Sequence, residues 1–204
     1  MRNDIQRLDA SRFDRARWAL GRAFYNYNLM VYAVADDKRR ASGVTALYGA
    51  ILSDCVRLGE VYVTPGETGA ACWLPPGTPA ATLVRQIRAG MLALPFRFGL
   101  SGFARLLPYD AIAQQLHHRY ATQPHWYLAA IGVEPEEQGK GNGGALMQPI
   151  LARADTEGLP CYLETHVEAN VRLYQKHGFE IRYRSDVPGH PIPVWAMLRR
   201  PQTG

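Results

Sequence analysis

The sequence predicts one mixed α/β domain in which a central strand feeds a glycine-rich loop and then a helix. Three observations carry that prediction. Residues 126–133, WYLAAIGV, are a nearly unbroken apolar and aromatic run, the pattern of a strand covered on both faces. Four glycines fall between positions 139 and 144, where the backbone can approach a partner without a Cβ in the way. From Ala145 to Glu157, apolar residues recur at helical spacing: Leu146, Ile150 and Ala154, with Met147 and Leu151.

The other elements follow in chain order. Ile5 to Leu8 alternates as a short first strand, and Ser11 is placed to cap a helix through Phe13, Trp18, Leu20 and Phe24. Phe24, Tyr25, Tyr27 and Tyr32 then crowd one short segment, and residues 42–56 read as a second helix. Residues 60–63 and 70–74 flank TPGETG, a hairpin signal, with Trp73 serving as core or as pocket wall. Thr82 to Ala121 reads as helical pieces broken at Pro95 and Pro108. After the central strand, Pro135 ends the ladder, and Pro149 should kink the following helix. Cys161 to Thr165 is a short strand. Asn170 is a good N-cap for the next helix, which Gly178 ends as a left-handed cap closed by Phe179. Residues 181–185 and 194–198 supply two final strands.

Composition narrows the function. A chain of 204 residues, 47% hydrophobic, suits a single domain with a full core. Cys55, Cys72 and Cys161 form no CxxC pair and sit among apolar neighbours, which suits buried thiols in a reducing cytoplasm. The net charge of +5 is scattered; its one run, Lys38, Arg39 and Arg40, reads as a solvated helix end, so no nucleic acid partner is expected. The N-terminus is polar, with no signal-peptide pattern, and the greasy region 91–107 is cut by Arg97 and Arg105, so no membrane partner is expected. His117, His118 and His125 invite a metal reading. Adjacent helical histidines diverge, however, and His125 lies beyond a proline, so no metal site is expected.

The loop itself points to phosphate, because free amides at a helix start beside Lys140 attract an anion. A Walker loop is excluded: Glu134 occupies its first glycine position and Gly141 follows the lysine. The dinucleotide pattern G-x-G-x-x-G is met by Gly139, Gly141 and Gly144, with Glu164 twenty residues on. Against it, five residues separate strand from first glycine, and only 60 residues follow the loop. A third pattern, Gln/Arg-x-x-Gly-x-Gly/Ala, is met by Gln138, Gly141 and Gly143.

With its flanks WYLAAIGVEPEEQGKGNG, YLET and LYQKHGF, this third match resembles the acetyl-CoA-binding half of the GNAT superfamily of N-acetyltransferases, and within it the puromycin N-acetyltransferase branch. The likeness covers about residues 126–200, and more loosely 59–77 with Ala23, Phe24 and Tyr27. It implies a GNAT-like α/β (α+β) single domain over 1–204, its mixed sheet splayed between the fourth and fifth strands, with helices on both faces. The acetyl-CoA-binding half would span about 125–180 and the acceptor-side elements about 20–122. It further implies acetyl-CoA as co-substrate, a small-molecule primary amine as acceptor, and no metal.

The resemblance also assigns residues. The amides of Ile131 and Val133, flanking Gly132, would meet the thioester and the pantetheine arm. Gln138, Gly139, Lys140, Gly141, Asn142, Gly143 and Gly144 would hold the pyrophosphate, and Asn170 the pantetheine. Lys140, Arg172 and Lys176 are open to the outlying 3′-phosphate. Tyr174, on the same helix face as Asn170, would contact the cofactor and act as general acid. Glu164 would be the base, with His166 or water as alternatives. Tyr27 would line the acceptor pocket, and Tyr32 and Trp73 are further candidates for it from their places in the chain, Trp73 as pocket wall or as core. A catalytically silent acyl-CoA sensor is the rival reading, and the presence of both Tyr174 and Glu164 argues against it.

Overall fold

The computed structural model describes residues 4–78, 83–187, 189 and 191–202. Its seven strands are β1 (Gln6–Arg7), β2 (Glu60–Val63), β3 (Gly69–Leu74), β4 (Trp126–Val133), β5 (Cys161–Thr165), β6 (Glu180–Ser185) and β7 (Val194–Arg199). They make one sheet in the order β1-β2-β3-β4-β5-β7-β6. All neighbours are antiparallel except β4 and β5, which run parallel. A doubly wound dinucleotide fold needs a mostly parallel sheet, so that rival falls.

Helices cover both faces of the sheet. On one lie α1 (Phe13–Phe24), α2 (Asn28–Ala33), α3 (Asp37–Leu58), α4 (Leu83–Ala89), α5 (Leu94–Phe98) and α6 (Leu100–Tyr120); on the other lie α7 (Asn142–Glu157) and α8 (Glu168–Gln175). Strand alternation sorts side chains between two cores. In β3, Ala70, Cys72 and Leu74 face the α1–α6 side, while Ala71 and Trp73 face the α7–α8 side. All three cysteines are buried free thiols.

Several local expectations are corrected, each by a contact that a sequence window cannot see. Ser11 does not cap α1; its amide and hydroxyl both donate to Asp9 Oδ1, and a 3₁₀ turn over residues 10–12 leads in. Helix α3 starts five residues before the expected 42, because Asp36 caps it by accepting the Arg39 amide at 2.7 Å. Arg40 is therefore not a solvated helix end. It is buried and donates to the carbonyls of Val34 and Ala35, to the Tyr25 hydroxyl and to Asp37. Helix α2 arises within the aromatic segment, where no helix was expected.

Pro108 does not break α6, which runs through it; the break comes at Gly99, with φ 74°, a value that favours glycine. The expected start at Thr82 lies outside the described residues. Asn170 is not a cap, since α8 begins at Glu168 and Asn170 sits inside its first turn. Gly178, at φ 84°, does end that segment, and the Phe179 amide returns to the Tyr174 carbonyl at 3.1 Å.

Candidate active site

The centre of the sheet opens where β4 and β5 part. Only Trp126–Cys161 and Tyr127–Tyr162 are paired; beyond them the two strands have no ladder between them. A bulge accompanies the opening. Cys72 stands opposite Ala130 and Trp73 opposite Leu128, so Ala129 is the extra residue on β4. The bulge also flips the side-chain parity, for Ala129 and Ala130 both lie on the α1–α6 side.

Backbone parity then decides which amides face the gap. The Glu134 amide donates to Thr68 on the β3 side at 2.8 Å. Counting back by twos, Gly132 and Ala130 also face β3, so the amides of Ile131 and Val133 turn toward the open β5 side. The Val133 carbonyl, on that same side, accepts the Gln138 side chain at 2.9 Å, which draws the glycine loop against the mouth of the gap.

The loop glycines have different reasons for being glycine. Gly139 and Gly141 adopt φ of 75° and 82° with open space around them. A Cβ on Gly143 would meet only Leu173, at 3.4 Å, whereas one on Gly144 would lie 2.6 Å from the His177 ring of the following segment. Gly144 therefore serves the packing of α7. The first return bond of α7 runs from Ala145 to Gly141, so the amides of Gly143 and Gly144 lie ahead of the helix's own ladder. The Asn142 side chain braces the loop by donating to the Glu137 carbonyl, and Lys140 pairs with Glu137 at 3.0 Å. Arg172 and Lys176 are exposed on α8 and the turn after it.

Tyr174 is 5% exposed and stands edge-on to Phe179. Burial, and then its proximity to Tyr27, hold its hydroxyl well above the ordinary tyrosine range. Tyr27 closes the same corner: its hydroxyl accepts the His166 amide at 2.9 Å and lies 3.4 Å from Thr165 Oγ1, at the end of β5. Asn170, four residues before Tyr174, is half-buried.

Glu164 points to the α6 side. It accepts the Tyr127 hydroxyl at 2.9 Å, and its other oxygen, buried and without a hydrogen bond among the described residues, is 3.7 Å from His117 Nδ1. Burial pushes its carboxyl up to about 8, against the opposing pull of the Tyr127 hydrogen bond. His166 is a poorer base. Burial lowers it to about 4, and its ring is walled edge-on by Tyr27 and Tyr109.

Of the residues assigned to the acceptor pocket, Tyr27 and Tyr32 are half-buried near the gap, Tyr32 edge-on to Tyr109. Trp73 is not a pocket wall. It is 0% exposed, inside the core beneath α7. The histidines also differ from expectation: His117 and His125 meet, Nε2 to Nε2, at 2.8 Å. Glu164 faces the opposite ring nitrogen of His117, so the three do not converge on one point. Among the described residues, no group of three or more such side chains is placed to hold a metal ion. Tyr127, Tyr162 and His117 were missed as site residues, because only the Tyr127–Tyr162 register and the length of α6 bring them to Glu164.

A splayed β4–β5 pair, a phosphate-type loop opening α7, and a tyrosine on α8 define a GNAT-type α/β domain. The comparisons agree. The model of the acetyltransferase (GNAT) family matches residues 85–179. An uncharacterized N-acetyltransferase of Schizosaccharomyces pombe is 28% identical over 210 residues, covering 97% of this chain and 83% of the relative. Among solved structures, a histone acetyltransferase HPA2 and related acetyltransferase from Corynebacterium glutamicum superposes with a TM-score of 0.68 at 20% identity, covering 100% of this chain and 99% of that one. The Drosophila melanogaster polyamine N-acetyltransferase gives 0.57 at 16% identity, with 96% and 98% covered. The chain is thus similar to GNAT-family acetyltransferases over the matched stretch, and its fold is GNAT-like. Among the described residues, no helix is long and apolar enough to cross a membrane.

Proposed function

We propose that the chain moves an acetyl group from acetyl-CoA to the primary amine of a small molecule by direct attack, with Tyr174 as general acid and Glu164 as general base. The observation that carries this reading is the gap itself. It is a slot between two strands, lined by outward-turned amides on one side and bounded by a buried tyrosine and a buried carboxyl. The amides of Ile131 and Val133 suit a thioester oxygen and a pantetheine arm, and donors aimed where negative charge develops are usually the largest catalytic term. The loop amides from Gly139 to Gly144 suit a pyrophosphate, with Asn170 toward the pantetheine. Acetyl-CoA supplies the activated acyl group; the chain's own residues orient it and manage two protons.

Glu164 takes a proton from the bound ammonium and so frees the nitrogen lone pair that attacks the thioester. A carboxyl near 8 is well matched to that task, because its base form and its proton affinity are both useful near neutrality. Tyr174, held protonated by burial, gives its proton to the departing thiolate and recovers one from the second N–H of the attacking nitrogen. The aromatic surroundings, Tyr27, Tyr32 and Tyr109, favour an aromatic or drug-like amine, and puromycin is a candidate on the resemblance of the cofactor half. The polyamine and arylalkylamine activities named for similar folds favour the same broad class of small amines.

Two measurements test the reading. Acetyl-CoA at about 100 times its dissociation constant should stabilise the fold by about 2.7 kcal/mol, with no shift from NADH. A panel of small amines with acetyl-CoA should then release free thiol. Binding without turnover on any amine would favour the silent sensor, and a shift with NADH alone would sink the reading entirely.

A further inference from the structure

The two histidines that meet over Glu164 line up ring nitrogens from the buried carboxyl toward the protein surface, and the outer two links of that line are hydrogen bonds. Its polarity can be worked out from the outer end. His125 Nδ1 lies 2.7 Å from the Gln123 carbonyl, which can only accept, so that nitrogen carries a hydrogen. In the neutral ring His125 Nε2 is then bare and accepts from His117 Nε2–H at 2.8 Å. His117 Nδ1 is left bare in turn, and it is this atom that faces Glu164 Oε1 at 3.7 Å, a small side-chain rotation from a hydrogen bond. That oxygen is buried, and the Tyr162 hydroxyl is the other polar group facing this carboxyl. Glu164 is nearly sealed, at 6% side-chain exposure, while His117 is 28% exposed and His125 reaches half-buried positions beside the exposed Gln123.

We propose that His117 and His125 are the proton exit of Glu164, carrying the proton taken from the amine out to solvent after each turnover. This rests on the function proposed above, with Glu164 as base. The steps balance. The carboxylate takes one proton from the ammonium and passes it to His117 Nδ1. His117 releases its Nε2 proton to His125 Nε2, and the resulting His125 imidazolium gives one proton to water. Both rings return to their starting tautomers by exchange with solvent. The net change is one proton moved from the amine to bulk water.

The surroundings favour conduction over storage. Facing Glu164 are the Tyr127 hydroxyl from β4, the Tyr162 hydroxyl from β5, and Asp110 and His117 from α6. Facing His117 are the rings of Tyr127 and Tyr162, with His118 and His125 nearby. Burial, then the neighbouring His125 and His118, lower His117 to about 4. His117 therefore stays neutral and passes a proton on as it receives one. Both histidines act through Glu164 and are positioning residues.

The test is steady-state, multiple-turnover acetylation by His125→Gln in dilute buffer, with soluble imidazole then added. The glutamine can still accept from His117 but cannot relay. The rate should fall by about tenfold or more, recover with imidazole, and leave acetyl-CoA affinity unchanged. A wild-type rate in dilute buffer overturns the relay, and so does a loss that imidazole cannot rescue. Nitrogen NMR of the wild type reads the tautomers without any turnover. His117 with bare Nδ1 and protonated Nε2 agrees with the relay, and the reverse tautomer overturns it. If wild-type protein acetylates no amine while the tautomers are as stated, it is the proposed function that fails.

Discussion

At the scale of single residues, two side chains carry the proposed chemistry, and they were unequally legible. Tyr174 could be singled out because its helix, its spacing from Asn170 and the glycine that ends the segment are all local features. Its environment could not, since Tyr27, whose hydroxyl crowds the same corner, comes from the far end of the chain. Tyr174→Phe removes only the hydroxyl and keeps the ring against Phe179. If that hydroxyl protonates the thiolate, turnover should drop by about 10²- to 10⁴-fold, in kcat and kcat/KM alike, with acetyl-CoA affinity little changed. Steady-state kinetics with separately measured affinity decide it: wild-type turnover would make Tyr174 structural, and a rate loss matched by lost affinity would make it an anchor. For Glu164 the sequence offered a carboxylate near a strand end and nothing more. Its raised affinity for protons depends on burial under α6, a helix whose last turns reach it only because α6 does not break at Pro108.

At the scale of elements, the half of the chain after residue 125 was read closely, and the half before it loosely. A strand–loop–helix unit with glycines in fixed places is specified by periodicity and backbone freedom, both local properties. The start of α3, the presence of α2 and the course of α6 depend on the Asp36 cap, on Arg40 binding carbonyls, and on packing that outweighs a proline's lost hydrogen bond. The loop glycines give a test of how well function and packing separate within one element. Gly143→Asp has room for its side chain, so the ligand-free fold should change by less than about 1 kcal/mol. Its bulk and negative charge at the α7 amides should abolish the stabilisation by acetyl-CoA. Gly144→Ala should do the opposite. It must displace the His177 ring and should cost about 1–3 kcal/mol of stability, while acetyl-CoA still raises the melting temperature of what folds. Calorimetry on both variants, with and without acetyl-CoA, checks the pair. Normal acetyl-CoA affinity in Gly143→Asp would remove this loop from the site.

At the scale of the whole molecule, the same sheet holds two carboxyls whose proton affinities are pushed in opposite directions, and this shapes stability against pH. Asp155, at the end of α7, takes a bidentate pair from the buried Arg199 of β7, 2.7 Å on each side, and also accepts the Gln202 amide. Arg199 donates as well to the His177 carbonyl, so one guanidinium ties α7, β7 and the turn after α8 together. The Arg199 hydrogen bond, followed by that of Gln202, holds Asp155 below the usual carboxylate range. A lowered folded value contributes stability that is present above the unfolded pKa and is lost as pH falls through the folded one. Glu164 has the opposite sign. Its folded value near 8 exceeds the unfolded value of about 4.3, so the folded state binds more protons across that window. Its contribution is complete below the unfolded value and is lost as pH rises through about 8. The ligand-free protein should therefore show an acid limb to which Asp155 contributes and a decline from about 4.3 to about 8 to which Glu164 contributes. Glu164→Gln separates them, because it cannot ionise where the carboxylate would be buried. Melting temperatures across pH should show the variant gaining on wild type as pH rises from about 4.3 to about 8 and holding that gain above it, with the Asp155 acid limb unchanged. A pH profile between about 4.3 and about 8 that is the same in Glu164→Gln as in wild type would mean that Glu164 does not hold its proton in the folded protein, and with it would go the reason for treating that carboxyl as a base tuned to neutral pH.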